Sequence, residues 1–219
     1  HLGTLAAVLV VYRKRIIEML LHPVKQAKYW IWMIVATLVT AVMALVFKDV
    51  IDAANEGSLL GFCFLFTAAL LVLCDFIRQK VECKLTVPSM KWYHAVFIGF
   101  VQGVAILPGI SRSGTTITGA THCSMKKEDA AELSYQHSIP AILGGAVLEI
   151  PGAVSAGAAN INWLSVVLGV AAAAVSGYFA VRFMIKLITK HSLWGFAIYT
   201  AILGAFIVLD QNILHLIAW

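Results

Sequence analysis

Long apolar runs separated by short polar segments form the main pattern along this chain. Six of these runs predict membrane-spanning helices, because a helix needs about twenty apolar residues to cross a bilayer. They cover residues 1–12, 29–47, 58–77, 129–150, 162–184 and 193–214. The first run is too short for a full crossing and stops at a basic cluster of Arg13, Lys14 and Arg15. We therefore expect that this helix lacks its beginning.

The segment between the third and fourth runs, Lys91 to Cys123, has a different pattern. An apolar run, His94 to Leu107, leads into the polar stretch LPGISRSGTT, and a shorter run, Thr115 to Cys123, follows. His94 to Leu107 is too short to cross the bilayer. The segment therefore either crosses by some irregular path or enters and leaves the membrane on the same side.

The distribution of lysine and arginine decides between these two routes. If the segment returns to its own side, residues 13–28, 78–91, 125–128 and 182–192 share one side and carry fourteen of the sixteen Lys and Arg residues. If it crosses, the basic residues of 125–128 and 182–192 move to the other side and the bias largely disappears. Because cytoplasmic loops carry an excess of basic residues, the sequence predicts a re-entrant helical hairpin over residues 92–123.

The resulting fold class is an all-α, polytopic integral membrane protein with six spans and one re-entrant hairpin. Three spans precede the hairpin and three follow it in the opposite orientation, which is typical of an inverted-topology repeat. We expect a single membrane domain over residues 1–219, with 1–78 as the remainder of the first repeat and 91–219 as the second. By the same logic a second hairpin is expected just before His1.

Composition and charge agree with a membrane protein. Hydrophobic residues make up 61% of the chain and charged residues only 12%, whereas about a quarter of a soluble globular domain is charged. The net charge is +5, but the basic residues occur in short clusters between apolar runs. This arrangement indicates cytoplasmic loops that face anionic lipid and does not indicate a nucleic-acid partner.

The tip of the hairpin carries the candidate chemistry. Pro108 and Gly109 are expected to break the descending helix, Gly114 to permit the turn back, and Thr115 or Thr116 to begin the next helix. The first amides of that helix would point at the tip and, with the guanidinium of Arg112, form an anion site suited to phosphate. Further hydrogen bonds would come from the hydroxyls of Ser111, Ser113, Thr115 and Thr116. The alternative is that Arg112 extends to the interface or pairs with a carboxylate while the hydroxyls cap helices.

Other polar residues are weaker candidates. Gln102 near the end of the descending helix either faces the tip or packs between helices, and His122 is best interpreted as a loop histidine. Gln136 and His137 are unusually polar for a span, and a helix-contact or interfacial role is favoured over a site role. We interpret Glu149 as interfacial.

These motifs resemble one known family. LPGISRSGTTITG, with FIGFVQGVAI before it and AAELS and SIPAILGGAVLE after it, resembles the undecaprenyl-pyrophosphate phosphatases, the bacitracin-resistance membrane phosphatases. The resemblance extends to the opening HLGTLAAVLVVYRKR and the closing GFAIYTAILGAFIVL, and the PGxSRSGxT motif is specific to that family.

The resemblance implies an enzyme that removes one phosphate from undecaprenyl diphosphate in the bacterial cytoplasmic membrane. This reaction recycles the lipid carrier for peptidoglycan synthesis and confers bacitracin resistance. The partners would be a polyprenyl diphosphate substrate and membrane lipids, and the oligomeric state stays open, with a homodimer as one alternative. Arg112 would bind the diphosphate with help from Ser111 and Ser113, and Gln102 would add a polar contribution. A divalent cation, Mg²⁺ or Ca²⁺, is implied as cofactor.

One part of the family pattern is absent from this sequence. The family's second motif, with two glutamates, paired hydroxyls and a Gly-His, supplies the expected metal ligands, nucleophile and general base, and we expect it upstream of His1. A transporter or flippase of a phospholipid or small anion is the alternative function, because an inverted repeat with an anion site at mid-membrane suits transport equally well.

Overall fold

The computed structural model describes residues 2–155 and 163–214, with the side chains of 148–155 and 214 excepted. Over these ranges the chain is all-helical, as predicted, and contains no strand. A single turn of 3₁₀-helix, Val87–Ser89, precedes the hairpin, and a short π-helix, Asp210–Leu214, continues the last helix. The ten α-helices are α1 Leu2–Val11, α2 Arg13–Leu21, α3 Ala27–Val46, α4 Lys48–Asn55, α5 Leu60–Lys80, α6 Trp92–Val104, α7 Arg112–His122, α8 Lys127–Ser155, α9 Trp163–Lys190 and α10 Trp194–Leu209.

Four of the described helices are long and apolar enough to cross a membrane: α3, α5, α9 and α10 with its continuation to Ile213. Their outward faces carry large apolar side chains such as Leu38, Phe179 and Ile202, which are 60–66% exposed. Apolar surface of this extent marks contact with a membrane or a partner, and with four such helices it identifies a membrane protein. Helix α1 has only 10 residues, and α8 has 29 but also carries several polar residues, so six spans stay a prediction.

The segment between α5 and α8 folds back on itself as a helical hairpin. Helix α6 has 13 residues and α7 has 11, and the two pack against each other. At the open end of the hairpin, the Leu85 N–H donates to the Ser124 carbonyl at 2.8 Å and the Lys126 N–H donates to the Leu85 carbonyl at 3.0 Å. The two ends of the segment therefore lie together. The position of the hairpin relative to a bilayer stays a prediction.

The sequence was wrong about two of the connecting segments. Part of 13–28, expected as a loop, forms α2, and most of 182–192 is the last part of α9, which runs to Lys190. The segment after α3 also contains a helix, α4. Lysine and arginine are good helix formers, so basic residues at the end of an apolar run limit the membrane span without ending the helix.

The hairpin is held at the centre of the fold. Helix α6 packs on α3, while α7 packs on both α5 and α8. The buried core lies around the base of the hairpin, where Ile98, Ile117 and Met125 are almost completely inaccessible to solvent. This packing fixes the direction in which the hairpin's tip points relative to α5 and α8.

Helices α5 and α10 form the most extensive helix pair described, and they run antiparallel. At one end Gly61 and Gly204 approach so closely that a Cβ on Gly204 would lie 2.9 Å from the Gly61 carbonyl oxygen. At the other end the buried carboxylate of Asp75 accepts a hydrogen bond from the Leu193 amide at 2.6 Å and forms an ion pair with Arg78 at 3.5 Å. The pair is therefore anchored at both ends.

Candidate active site

The tip of the hairpin is a short loop between Val104, the last residue of α6, and Arg112, the first of α7. Gly109 adopts a φ of 88°, which residues with a side chain rarely adopt. Thr67 of α5 holds this loop from outside the hairpin. Its hydroxyl donates to the Gly109 carbonyl at 3.0 Å and accepts from the Ser111 N–H at 3.0 Å.

Helix α7 begins at Arg112, three or four residues earlier than the predicted start at Thr115 or Thr116. Ser111 is its N-cap residue, and the Ser111 Oγ accepts a hydrogen bond from the Gly114 N–H at 3.1 Å. Serine is a favoured N-cap because its side chain pairs with an otherwise free amide of the first turn. The first hydrogen bond of the helix runs from the Thr115 N–H to the Ser111 carbonyl. The amides of Arg112 and Ser113 precede it and stay free to bind an anion.

Arg112 reaches a cavity of about 180 Å³ between α1, α7, α8 and α9. Among the described residues, no carboxylate lies within ion-pair distance of its guanidinium. The carboxylate-pairing alternative therefore receives no support, and the charge is available to a ligand. The cavity is lined by Thr4, Val8, Arg112, Ser113, Ser134, Tyr135, Ser138 and Val181.

A second, more apolar cavity of about 90 Å³ lies on the other side of the tip. It extends from Ser111, Ser113 and Gly114 towards apolar side chains of α9 and α10, such as Met184 and Phe196. Ser113 borders both cavities. The start of α7 thus separates a polar chamber that contains the guanidinium from a largely apolar one.

Three of the predicted site residues have a different role in the structure. The hydroxyl of Thr115 donates to the Ser111 carbonyl at 2.8 Å, and that of Thr116 donates to the Arg112 carbonyl at 2.9 Å. Both side chains are buried within the hairpin's packing. Gly114 lies inside the first turn of α7 and does not form the reversal, which depends on Gly109 instead. Ser111, Arg112 and Ser113 are the predicted residues that the structure does bring together at the tip.

Gln102 and the two polar residues of α8 lie elsewhere. Gln102, Gln136 and His137 are each at most 2% exposed, so none is interfacial. None of the three lines either cavity. The Gln136 side-chain amide donates to a Glu132 oxygen at 3.1 Å. His122 was interpreted as a loop histidine, but it is the last helical residue of α7, where it is exposed. The side chain of Glu149 lies outside the described residues.

Sequence reasoning missed two contributions to this site. Thr67 comes from α5, far from the motif in sequence, and no pattern around it indicates its hydrogen bonds. Ser134 and Ser138 come from α8, and Ser134 shares a short hydrogen bond with Thr116 that ties α8 to α7. Their spacing of four places them on one face of a helix, which was the available indication.

The expected divalent cation is not matched by the described side chains. Among the side chains that the structure describes, no group of three or more His, Cys, Asp or Glu is placed to hold a metal ion. Divalent cations such as Mg²⁺ and Ca²⁺ prefer oxygen ligands, carboxylates above all. The serines and the guanidinium at the tip do not fit that requirement, so no chemical step is assigned here to a metal.

Comparison with known proteins places the sequence in a family. Residues 1–206 match the family described as bacitracin resistance protein BacA. An undecaprenyl-diphosphatase of Carboxydothermus hydrogenoformans is 40% identical over 214 residues, which cover 96% of this chain and 80% of that protein. Undecaprenyl-diphosphatases of Alkaliphilus metalliredigens and Halothermothrix orenii are 35% and 32% identical, with 95% and 97% of this chain and 81% and 82% of theirs covered. The chain belongs to the bacitracin resistance protein BacA family.

Proposed function

We propose that this protein hydrolyses undecaprenyl diphosphate to undecaprenyl phosphate and inorganic phosphate. It would thereby recycle the lipid carrier of cell-wall synthesis and confer bacitracin resistance. The observation that carries the proposal is the guanidinium of Arg112, which borders a cavity at the start of a helix and has no described carboxylate partner. The relatives' names supply the substrate, and the geometry at the tip supplies a site for its diphosphate.

In this proposal Arg112 binds the diphosphate as a two-pronged donor, as guanidinium groups do with phosphate. The free amides of Arg112 and Ser113 and the hydroxyls of Ser111 and Ser113 add donors around it. Negative charge on the transferred phosphoryl group is offset by donors that are already in place before the reaction, which is the main source of catalysis in phosphoryl transfer. The requirement for Mg²⁺ or Ca²⁺ stays a prediction.

We also propose that the helices form an inverted repeat that crosses the bacterial cytoplasmic membrane several times, with the hairpin re-entrant. The antiparallel pairing of α5 and α10 supports this arrangement. These two helices are the third spans of the two predicted units, and an axis of twofold pseudosymmetry in the membrane plane would place such equivalent helices against each other in opposite directions. A homodimer stays one alternative for the oligomeric state.

Phosphate release from farnesyl or undecaprenyl diphosphate tests the function. We expect the protein in detergent to release phosphate and Arg112→Ala to lose at least a hundredfold in kcat/KM. Arg182→Ala is the matched control, because Arg182 is an exposed arginine on α9 that contacts Tyr178. Equal loss in both variants would contradict the role of Arg112. Movement of intact lipid across vesicles without phosphate release would favour a transporter.

A further inference from the structure

His137 of α8 is a buried residue that no part of the proposed mechanism uses. Its side chain is 1% exposed, and neither Nδ1 nor Nε2 has a hydrogen-bond partner among the described residues. A buried polar group without a partner destabilises a fold by about 1–3 kcal/mol, and such groups in folded proteins call for an explanation by water, an ion or function. The imidazole contributes no described hydrogen bond to the packing of α8.

The neighbouring Gln136 differs from His137 because one of its polar atoms has a hydrogen-bond partner within the fold. Gln136 is equally buried and its Oε1 has no described partner, but its amide nitrogen is held by Glu132, which in turn pairs with Arg15 at 2.9 Å. That chain of contacts fixes one turn of α8 against the segment after α1. His137 points to a different side of the same turn, because adjacent residues on a helix are about 100° apart.

The surroundings of His137 point to the anion site. Residues three and four apart share one face of a helix, so His137 lies on the same side of α8 as Ser134. Ser134 and Ser138, one turn before His137 and one residue after it, line the cavity that Arg112 borders. The short hydrogen bond between Ser134 and Thr116 holds this part of α8 against α7.

One ligand would provide partners for both the guanidinium of Arg112 and the imidazole of His137. A guanidinium without a carboxylate needs an anion, and an imidazole N–H without an acceptor needs an oxygen. His137 does not line the cavity and lies beside its wall of Ser134 and Ser138. A phosphate that widens the cleft between α7 and α8 would therefore accept from Arg112 on one side and from His137 on the other. The anion site would then be a cleft between two helices.

We propose that His137 is an additional phosphate-binding residue, whose imidazole N–H donates to the diphosphate that Arg112 holds. This inference rests on the proposed function for the identity of the anion. The α7 side supplies the charge and the free amides. The α8 side supplies a neutral donor that fixes the orientation of the anion, so that the site recognises a phosphate rather than any small anion.

Replacement by leucine separates this role from a packing role. His137→Leu removes two unpartnered polar atoms from the interior, so we expect the variant to unfold at the same temperature as the parent chain or higher. We also expect it to bind inorganic diphosphate about tenfold more weakly or worse, because a hydrogen bond to a charged group is lost. His122→Gln is the matched control, since His122 is exposed at the far end of α7, and its binding should equal that of the parent.

A direct spectroscopic measurement makes the test independent of turnover and of the stability of any variant. In the ¹⁵N-histidine-labelled chain, the ring resonances that disappear in His137→Gln belong to His137, and we expect them to shift when inorganic diphosphate is added. Unmoved resonances, or parent-like diphosphate affinity in His137→Leu, would overturn the proposal. Failure of the proposed function would appear separately, as diphosphate binding with a shift at His137 but no release of phosphate from the lipid.

Discussion

The clamp that Thr67 places on the hairpin's tip leads to the sharpest prediction about this fold. Thr67→Val keeps the shape of the side chain and removes only the hydroxyl. That hydroxyl bonds both the Gly109 carbonyl and the Ser111 N–H, each at 3.0 Å, and Thr67 is 3% exposed. The substitution therefore leaves a carbonyl and an amide of the loop without their partner.

The size of the effect follows from these two groups. A buried group that loses its partner costs about 1–3 kcal/mol, and Gly109 and Ser111 are only half-buried, so some water can reach them. We therefore expect a loss of about 2 kcal/mol in the free energy of unfolding for the two groups together. In a chain of this size that corresponds to a decrease of about 4–8 °C in the unfolding temperature.

Activity should fall as well, because Ser111 caps the helix that carries Arg112. A tip that shifts by about 1 Å can cost on the order of a hundredfold in rate, so we expect kcat/KM to decrease by about tenfold to a hundredfold. The assays are thermal unfolding in detergent and phosphate release from farnesyl diphosphate. Thr37→Val is the control, since the Thr37 hydroxyl bonds only the Met33 carbonyl of its own helix. If Thr67→Val matched this control in both assays, the clamp would have no role.

Three further substitutions test other parts of the structure. Gly109→Ala places a Cβ at a φ of 88°, and we expect an unfolding temperature lower by several degrees, measured by circular dichroism, with weaker diphosphate binding. Asp75→Asn leaves the buried Arg78 without its counterion and weakens the cap on the Leu193 amide, so we expect a loss of about 3–5 kcal/mol in denaturant unfolding. Arg112→Met removes a half-buried charge that has no described carboxylate partner, and calorimetry without anion should show a higher unfolding temperature than the parent, while added diphosphate should no longer raise it.

The sequence predicted the helical fold and the hairpin from two simple properties. Apolar runs gave the positions of α3, α5 and α10 to within a few residues, because a membrane-length helix needs a continuous apolar stretch. The distribution of basic residues gave the hairpin, because it reflects the side on which a segment ends. An apolar run is a local property, and the number of basic residues on each side is a sum along the chain. Both can therefore be obtained from a single sequence.

The start of α7 was harder to predict because several residues could cap it. Ser111, Ser113, Thr115 and Thr116 are all acceptable N-cap residues, and local preference does not choose among them. The structure chooses Ser111, whose amide is held by Thr67 of another helix. A contact between residues so far apart in sequence leaves no periodic pattern. The spacing of Ser134 and Ser138 indicates a shared helix face, but it does not indicate that this face meets α7.

The contacts around the tip explain why the half-buried Arg112 stays at the cavity, although even partial burial is unfavourable for an unpaired guanidinium. A long arginine side chain can normally move its charge to water, but here the backbone beside it is fixed on two sides. Thr67 holds the loop on α5, and the hydrogen bond between Thr116 and Ser134 holds α7 on α8. The anchored ends of the α5 and α10 pair keep α5 itself in place. The packing of the bundle therefore stabilises the fold against the unfavourable free energy of the unpaired guanidinium. An anion that enters the cavity and pairs with Arg112 removes this unfavourable contribution. This makes the site selective for a ligand with enough negative charge to offset that cost, as a diphosphate has.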